Sequence, residues 1–247
     1  LRGPRRFSLR LSRDLRVGDV LQAARGRSFG LRLPGDAWVG VAGAVRLDRV
    51  PRRGEGRTQI RLTLISGRLR ARATARGGCL AIGVGLRQVR FERGTLRLQR
   101  MAHGGLRVEI LQGTYATVLG PPREGGGPRS RPRSVSPMTS LTFMRAHDVG
   151  AARALMGAPS GLRPARSRHE RPPKISWDAV AGATTYAVEV ALDADFLEVA
   201  RTYHVTTTSV TPRGLSPGAY YWHVLASDGA HHGRGSKVYR FIVLASR

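Results

Sequence analysis

The chain has 247 residues, enough for two modest domains that each bury a core of their own. Lys plus Arg number 42 against 16 Asp plus Glu, a formal net charge of +26. Only Lys174 and Lys237 are lysines, so 42 − 2 = 40 of the cations are Arg. The bias reflects either coding composition or selection for the planar guanidinium fork that pairs with carboxylate and phosphate. The single cysteine, Cys79, excludes an intrachain disulfide and any multi-cysteine metal site. No window approaches eighteen uninterrupted apolar residues, so no membrane-spanning helix is expected. The opening L-R-G-P-R-R lacks a starting Met and a signal-peptide core. The chain therefore reads as part of a longer protein, with any export signal outside it.

Strand candidates in chain order are Phe7 to Leu11, Gly18 to Ala23, Ser28 to Leu33, Ala37 to Val41 and Ala44 to Val50. Thr58 to Ile65, Gly67 to Ala73, Cys79 to Val84, Gln88 to Glu92, Thr95 to Arg100, Leu106 to Leu111 and Thr114 to Leu119 follow. Apolar residues recur at every second position within them, with Arg, Glu or Gln between, which gives one apolar and one charged face per strand. Glycines between the runs mark turns. The spacing predicts an all-β fold, and the repeated Leu-Arg-Leu units place leucines inward and arginines outward. No fixed repeat period emerges, so a strict solenoid is not established. The arginines so placed, Arg10, Arg32, Arg61, Arg68, Arg70, Arg97 and Arg107, are the candidate contacts for an acidic partner or polyanion.

Charge marks the boundary that follows. Residues 1–171 hold 35 basic and 10 acidic residues (35 − 10 = +25), and 172–247 hold 7 and 6 (7 − 6 = +1). Residues 121–137, P-P-R-E-G-G-G-P-R-S-R-P-R-S-V-S-P, cannot bury enough apolar surface to offset their ordering entropy. The expected organisation is a β domain over 1–120, a Pro/Gly/Arg-rich linker over 121–171 with an extra strand near 140–144, and a last domain over 172–247. Ala151 to Met156 makes at most a short helical turn.

Two resemblances refine this reading. G-D-V-L-Q-A (18–23), S-F-G-L-R-L-P-G-D-A-W-V-G-V (28–41), I-S-G-R-L-R-A (65–71), F-E-R-G-T-L-R-L (91–98) and V-E-I-L-Q-G-T-Y-A-T-V (108–118) resemble, in order, the segments of the FecR domain over about residues 15–120. Pro34-Gly35-Asp36 stands where that family shows Asp-Gly-Ser. The resemblance implies a β-roll or solenoid-like sandwich facing the bacterial periplasm or cell envelope. The family's cytoplasmic tail and transmembrane helix are not in this sequence. Residues 173–244, with I-S-W-D-A-V-A-G-A-T-T-Y-A-V-E-V and L-S-P-G-A-Y-Y-W-H-V, resemble a fibronectin type III or immunoglobulin-like sandwich. Trp177, Tyr186, Tyr220 and Trp222 are its expected core, and Tyr220 is placed to bond back to the preceding loop.

The search for chemistry is short. Gly-x-Ser-x-Gly, the phosphate loop and His-Glu-x-x-His are all missing. His231-His232 beside Asp228 sit in a loop and point apart, and Asp193, Asp195 and Glu198 lack a calcium-loop spacing. The expectation is a non-enzymatic protein without cofactor or metal. It would be a scaffold of the bacterial envelope docking through its arginines on another envelope protein, an anionic polymer or a lipid phosphate surface. The alternatives are a periplasmic regulatory sensor of FecR type acting on a sigma-factor pathway, and polyanion or nucleic-acid binding. Nucleic acid calls for aromatics interleaved with the basic residues, and Phe7, Phe29, Trp38, Phe91 and Tyr115 are the main ones offered by the first 120 residues.

Overall fold

A computed structural model describes residues 15–24, 28–50, 59–74, 79–120, 131–144, 149–196, 198–229 and 232–245. Among these the regular structure is strand, with two short 3-10 turns at Pro34–Asp36 and Ala102–Gly104 and no α-helix. The protein is all-β. The described residues contain no helix long and apolar enough to cross a membrane. The chain divides into two compact units, with the boundary between Ala154 and Leu155.

The first unit contains β1 (Val20–Gln22), β2 (Phe29–Leu33), β3 (Ala37–Arg49), β4 (Ile60–Ala73), β5 (Leu80–Val84) and β6 (Arg87–Phe91). It continues with β7 (Gly94–Arg100), β8 (Leu106–Gly113), β9 (Ala116–Leu119), β10 (Arg133–Val135), β11 (Thr139–Phe143) and β12 (Arg153–Ala154). Their order in the sheet is β10-β9-β6-β5-β4-β7-β8-β11-β12, with β3 along the other edge of β4 and carrying β1 and β2.

Strands β3 and β4 dominate this unit, and they differ from the sequence expectation. Each was expected as two strands broken at a glycine; each is one continuous strand, of 13 and 14 residues. The two breaking glycines face each other, Gly43 opposite Gly67, within the ladder. A Cβ on Gly43 would lie 2.1 Å from the Ser66 carbonyl oxygen, and one on Gly67 2.1 Å from that of Ala42. Glycine here permits a close backbone crossing and a positive φ rather than a chain reversal. Beside it β4 carries an extra residue, since Ala44 pairs with Ser66 but Val45 with Leu64. This bulge shifts the inward set of β4 from Ile60, Leu62 and Leu64 to Leu69, Ala71 and Ala73. The Arg100 guanidinium donates to the carbonyl of the extra residue, Ile65, at 2.5 Å.

The chain length explains why the strand must bend there. β4 pairs in parallel with β5, Ile60 beside Leu80. The 80 − 73 = 7 steps from Ala73 to Leu80 span at most about 25 Å. A straight β4 would put Ala73 about 43 Å from Ile60. The sheet therefore folds over itself into two halves around one apolar core, which includes Val39, Leu47, Leu64, Ile82, Leu96 and Val108. A second contact shows the same folding. Arg87 of β6, 6% exposed, lies with its Cζ 5.1 Å from the ring centroid of Phe143 on β11, although these strands are five places apart in the sheet. Arg87 departs from the outward rule, because β6 begins one residue earlier than expected and Arg87 shares the inward phase of Val89 and Phe91. Burial holds its pKa below the ordinary arginine range.

Within residues 131–171 the strand expected near 140–144 is β11; the rest, expected as linker, supplies β10 and β12 to the first unit and β13 to the second. Ala151 to Met156 is extended rather than helical, with Ser140 pairing Arg153. Sheet edges recruit short polar segments through backbone hydrogen bonds, which composition does not register. Residues 121–130 and the expected strand Phe7 to Leu11 lie outside the described residues.

The second unit contains β13 (Arg166–His169), β14 (Ile175–Ser176), β15 (Thr185–Ala191), β16 (Val199–Val205), β17 (Ser209–Val210), β18 (Gly218–Ser227), β19 (His232–Gly235) and β20 (Tyr239–Val243). One layer runs β13-β20-β18-β15-β16 with β19 beside β18, and β14 with β17 forms the other. Two such antiparallel layers, with a first strand running parallel to the last, make an immunoglobulin-like sandwich. Trp177, Tyr186, Tyr220 and Trp222 all lie in its core. The Tyr220 hydroxyl donates to the Ser216 carbonyl at 2.8 Å, fastening the turn to the strand it precedes.

Candidate anion-docking face

Strand alternation and register together decide which arginines share a surface. On the second half of β4, Leu69, Ala71 and Ala73 fill the core, so Arg68, Arg70 and Arg72 project from the opposite face. β7 adds Thr95, Arg97 and Gln99, and β8 adds Arg107 and Glu109 in the same phase. The register aligns Arg70 with Arg97 and Glu109, and Arg68 with Gln99 and Arg107. Ser140 and Thr142 of β11 extend these two rows. A third row runs Arg32, Trp38, Arg72, with the Arg32 Cζ 5.2 Å from the Trp38 ring centroid.

Five of the seven arginines picked out from sequence, Arg32, Arg68, Arg70, Arg97 and Arg107, thus meet on one sheet face. Arg61 also points outward, since the bulge in β4 keeps positions 61 and 68 both off the core, but it lies before the bend, on the outer face of the other half-sheet. Arg10 lies outside the described residues. Sequence reading missed Arg72, which continues the same two-residue spacing, and Trp38, which falls between two arginines only through cross-strand pairing. Phe91 is buried and Phe29 packs against the core, so Trp38 is the aromatic this face offers among the described residues.

The face is not uniformly cationic. Glu109 is the one acid among the outward positions of β4, β7, β8 and β11 in this half-sheet, which leaves five arginines minus one carboxylate, 5 − 1 = +4. Arg97 Nη1 donates to Glu109 Oε2 at 2.8 Å, with the side chains 14% and 2% exposed. Arg70 stands directly across from Arg97 on its other side. The Glu109 Oε1, the Ser140 Oγ and the Arg107 Nε are buried without a hydrogen-bond partner among the described residues. Each such group costs about 1–3 kcal/mol. Arg32, by contrast, is largely exposed, and its contact with Asp36 is long at 3.4 Å.

The remaining candidates do not assemble a reactive centre. The Asp193 carboxylate accepts from the backbone N–H of Asp195 and of Glu198, so it fastens its own loop. No group of three or more His, Cys, Asp or Glu positioned for a metal occurs among the described residues, and His231 lies outside them.

No protein-family model and no curated protein matches the chain. Among solved structures, two of a "putative anti-sigma factor" from Parabacteroides distasonis ATCC 8503, at 2.50 and 1.65 Å resolution, are similar in fold over part of their length. They are 12% and 11% identical, with TM-scores of 0.43 and 0.42. The match covers 55% of this chain and 59% of each of those chains.

Proposed function

We propose that the first unit is a non-enzymatic docking module whose arginine face takes a carboxylate-rich surface of another protein of the bacterial envelope. The observation that carries this reading is the alignment of Arg68, Arg70, Arg72, Arg97 and Arg107 on one sheet face of net +4. Arg68, Arg70 and Arg72 lie at two-residue intervals, about 6.6 Å apart. Alternate acidic side chains of an extended segment have the same repeat, so fork and carboxylate meet in register. The second unit acts as a spacer or a further adhesion surface. The FecR-like segment order and the envelope location belong to the same reading.

The test is fluorescence anisotropy of an alternating Glu-Ser peptide with the full chain at several salt concentrations. The wild type binds with a steep salt dependence, and R68Q/R70Q/R72Q weakens binding by about a thousandfold or more, since each charge-assisted contact contributes roughly 1.5 kcal/mol or more. Removing the same charge from the other half-sheet with R46Q/R61Q/R90Q leaves affinity within about threefold. Equal losses in both triple variants would reduce the effect to net charge and sink the proposal. Tighter binding of single-stranded DNA than of the peptide would move the assignment to nucleic acid.

A further inference from the structure

The outer face of the other half-sheet carries a more local feature. Along one row the register sets Arg61 of β4, Ala81 of β5 and Arg90 of β6 side by side. Arg61 and Arg90 are exposed, yet Ala81 between them is 0% exposed although it is no member of the apolar core. Its cross-strand neighbours on that face are Arg61 and Arg90, whose alkyl stems are long enough to lie over it. Both guanidiniums are held by their Nε. Arg61 donates to Gln59 Oε1 at 2.9 Å and Arg90 to Gln88 Oε1 at 3.2 Å. Each glutamine lies two residues away on the same strand face, which turns the Nη edges of both forks away from the strand.

Two acidic groups among the described residues lie near this row. Asp48 is taken by Arg46 Nε at 2.7 Å and by the Thr63 hydroxyl at 2.5 Å. Glu92 is exposed two residues beyond Arg90, just past the end of β6. Gly83, next to Ala81 in phase on β5, adds no side chain, and the Thr63 hydroxyl would lie 3.0 Å from a Cβ placed there.

We propose that Arg61 and Arg90, braced by Gln59 and Gln88 on either side of Ala81, form a clamp for one phosphoryl group. β4 and β6 are two strand spacings apart, about 10 Å, a gap that two arginines bridge with an oxyanion between them. Two forks saturate the lone pairs of a carboxylate, whereas a phosphate monoester presents three terminal oxygens and up to twice the charge, and so gains more from two cations. The clamp rests on residues separate from the docking face, so the two readings stand or fall apart.

The experiment is calorimetric titration of the full chain with inorganic phosphate and, as the carboxylate control, acetate. Phosphate binds, and R61Q or R90Q each weakens it about tenfold. R61K keeps the charge but loses the fork, and weakens binding by a comparable factor. Q59L and Q88L leave net charge unchanged and weaken binding about threefold, a result that a diffuse field would not produce. R32Q, an equal charge loss at an exposed position, and R68Q/R70Q/R72Q leave phosphate affinity within about twofold. Flotation with phosphatidylcholine vesicles, with and without phosphatidylglycerol, separates a lipid headgroup from free phosphate as the source. Acetate binding as tightly as phosphate, an R32Q loss equal to that of R61Q, or no phosphate binding by the folded wild type would overturn the clamp.

Discussion

The Arg97–Glu109 pair is the sharpest point at which the docking face can be tested through stability alone. Replacing Arg97 by Gln removes the partner 2.8 Å from a carboxylate that is only 2% exposed. Losing one member of a buried pair costs about 3–5 kcal/mol because the other charge stays behind. Arg107, two residues from Glu109 on the same face, attracts it equally before and after the change and so cancels. R97Q should therefore cost about 3–5 kcal/mol. E109Q should cost less, since Arg97 is 14% exposed and can turn toward water. R97L/E109L replaces the pair with apolar side chains of similar volume and should fall within about 1 kcal/mol of wild type; the matched double variant R97Q/E109Q should cost less than the sum of its singles by at least about 1.5 kcal/mol. Hydrogen exchange of the β7 and β8 amides under increasing urea reads this cycle inside the first unit, whatever the second unit does. A cost for R97Q below about 0.5 kcal/mol, or additive single variants, would mean that the pair is solvated and that the face carries ordinary surface charge.

Other expected outcomes follow from single features. Gly67→Ala drives a Cβ to 2.1 Å from the Ala42 carbonyl at a φ of +81°, so the first unit should lose at least about 3 kcal/mol, seen as loss of exchange protection in β3 and β4; near wild-type protection would refute the crossing. Tyr220→Phe removes the bond to Ser216 and should destabilise the second unit by about 1–2 kcal/mol in urea denaturation, with no change confined to the first. Burial raises the pKa of Tyr220 and Tyr203, so the folded state holds these protons more tightly than the unfolded chain. Stability is then complete below the ordinary tyrosine pKa and falls as pH rises through and beyond it, which alkaline denaturation followed by tyrosinate absorbance will show or deny. Glu92→Gln removes the carboxylate beside the phosphoryl clamp and should tighten phosphate binding about twofold to threefold, whereas weaker binding would place Glu92 among the groups that hold the clamp.

Period-two alternation alone established the all-β character, the inward phase of Leu62, Leu69, Leu96 and Val108, and the outward phase of Arg68, Arg70, Arg97 and Arg107. Alternation is a property of consecutive residues, so it is legible without knowledge of neighbours. The aromatic set around Trp177 and Trp222 was legible for the same reason, with large apolar side chains at strand spacing in a segment of nearly balanced charge. Tertiary structure decided the rest. Whether Gly43 and Gly67 end strands or let two long strands cross depends on their facing each other, which the sequence separates by 67 − 43 = 24 positions. Positions 61 and 68 are an odd number of residues apart, and only the extra residue at Ile65 lets both Arg61 and Arg68 point away from the core. Arg97 meets Glu109, Trp38 falls between Arg32 and Arg72, and Ala81 lies between Arg61 and Arg90 only through register across strands. Such pairings are set by non-local hydrogen bonding, and composition and local periodicity hold no record of them.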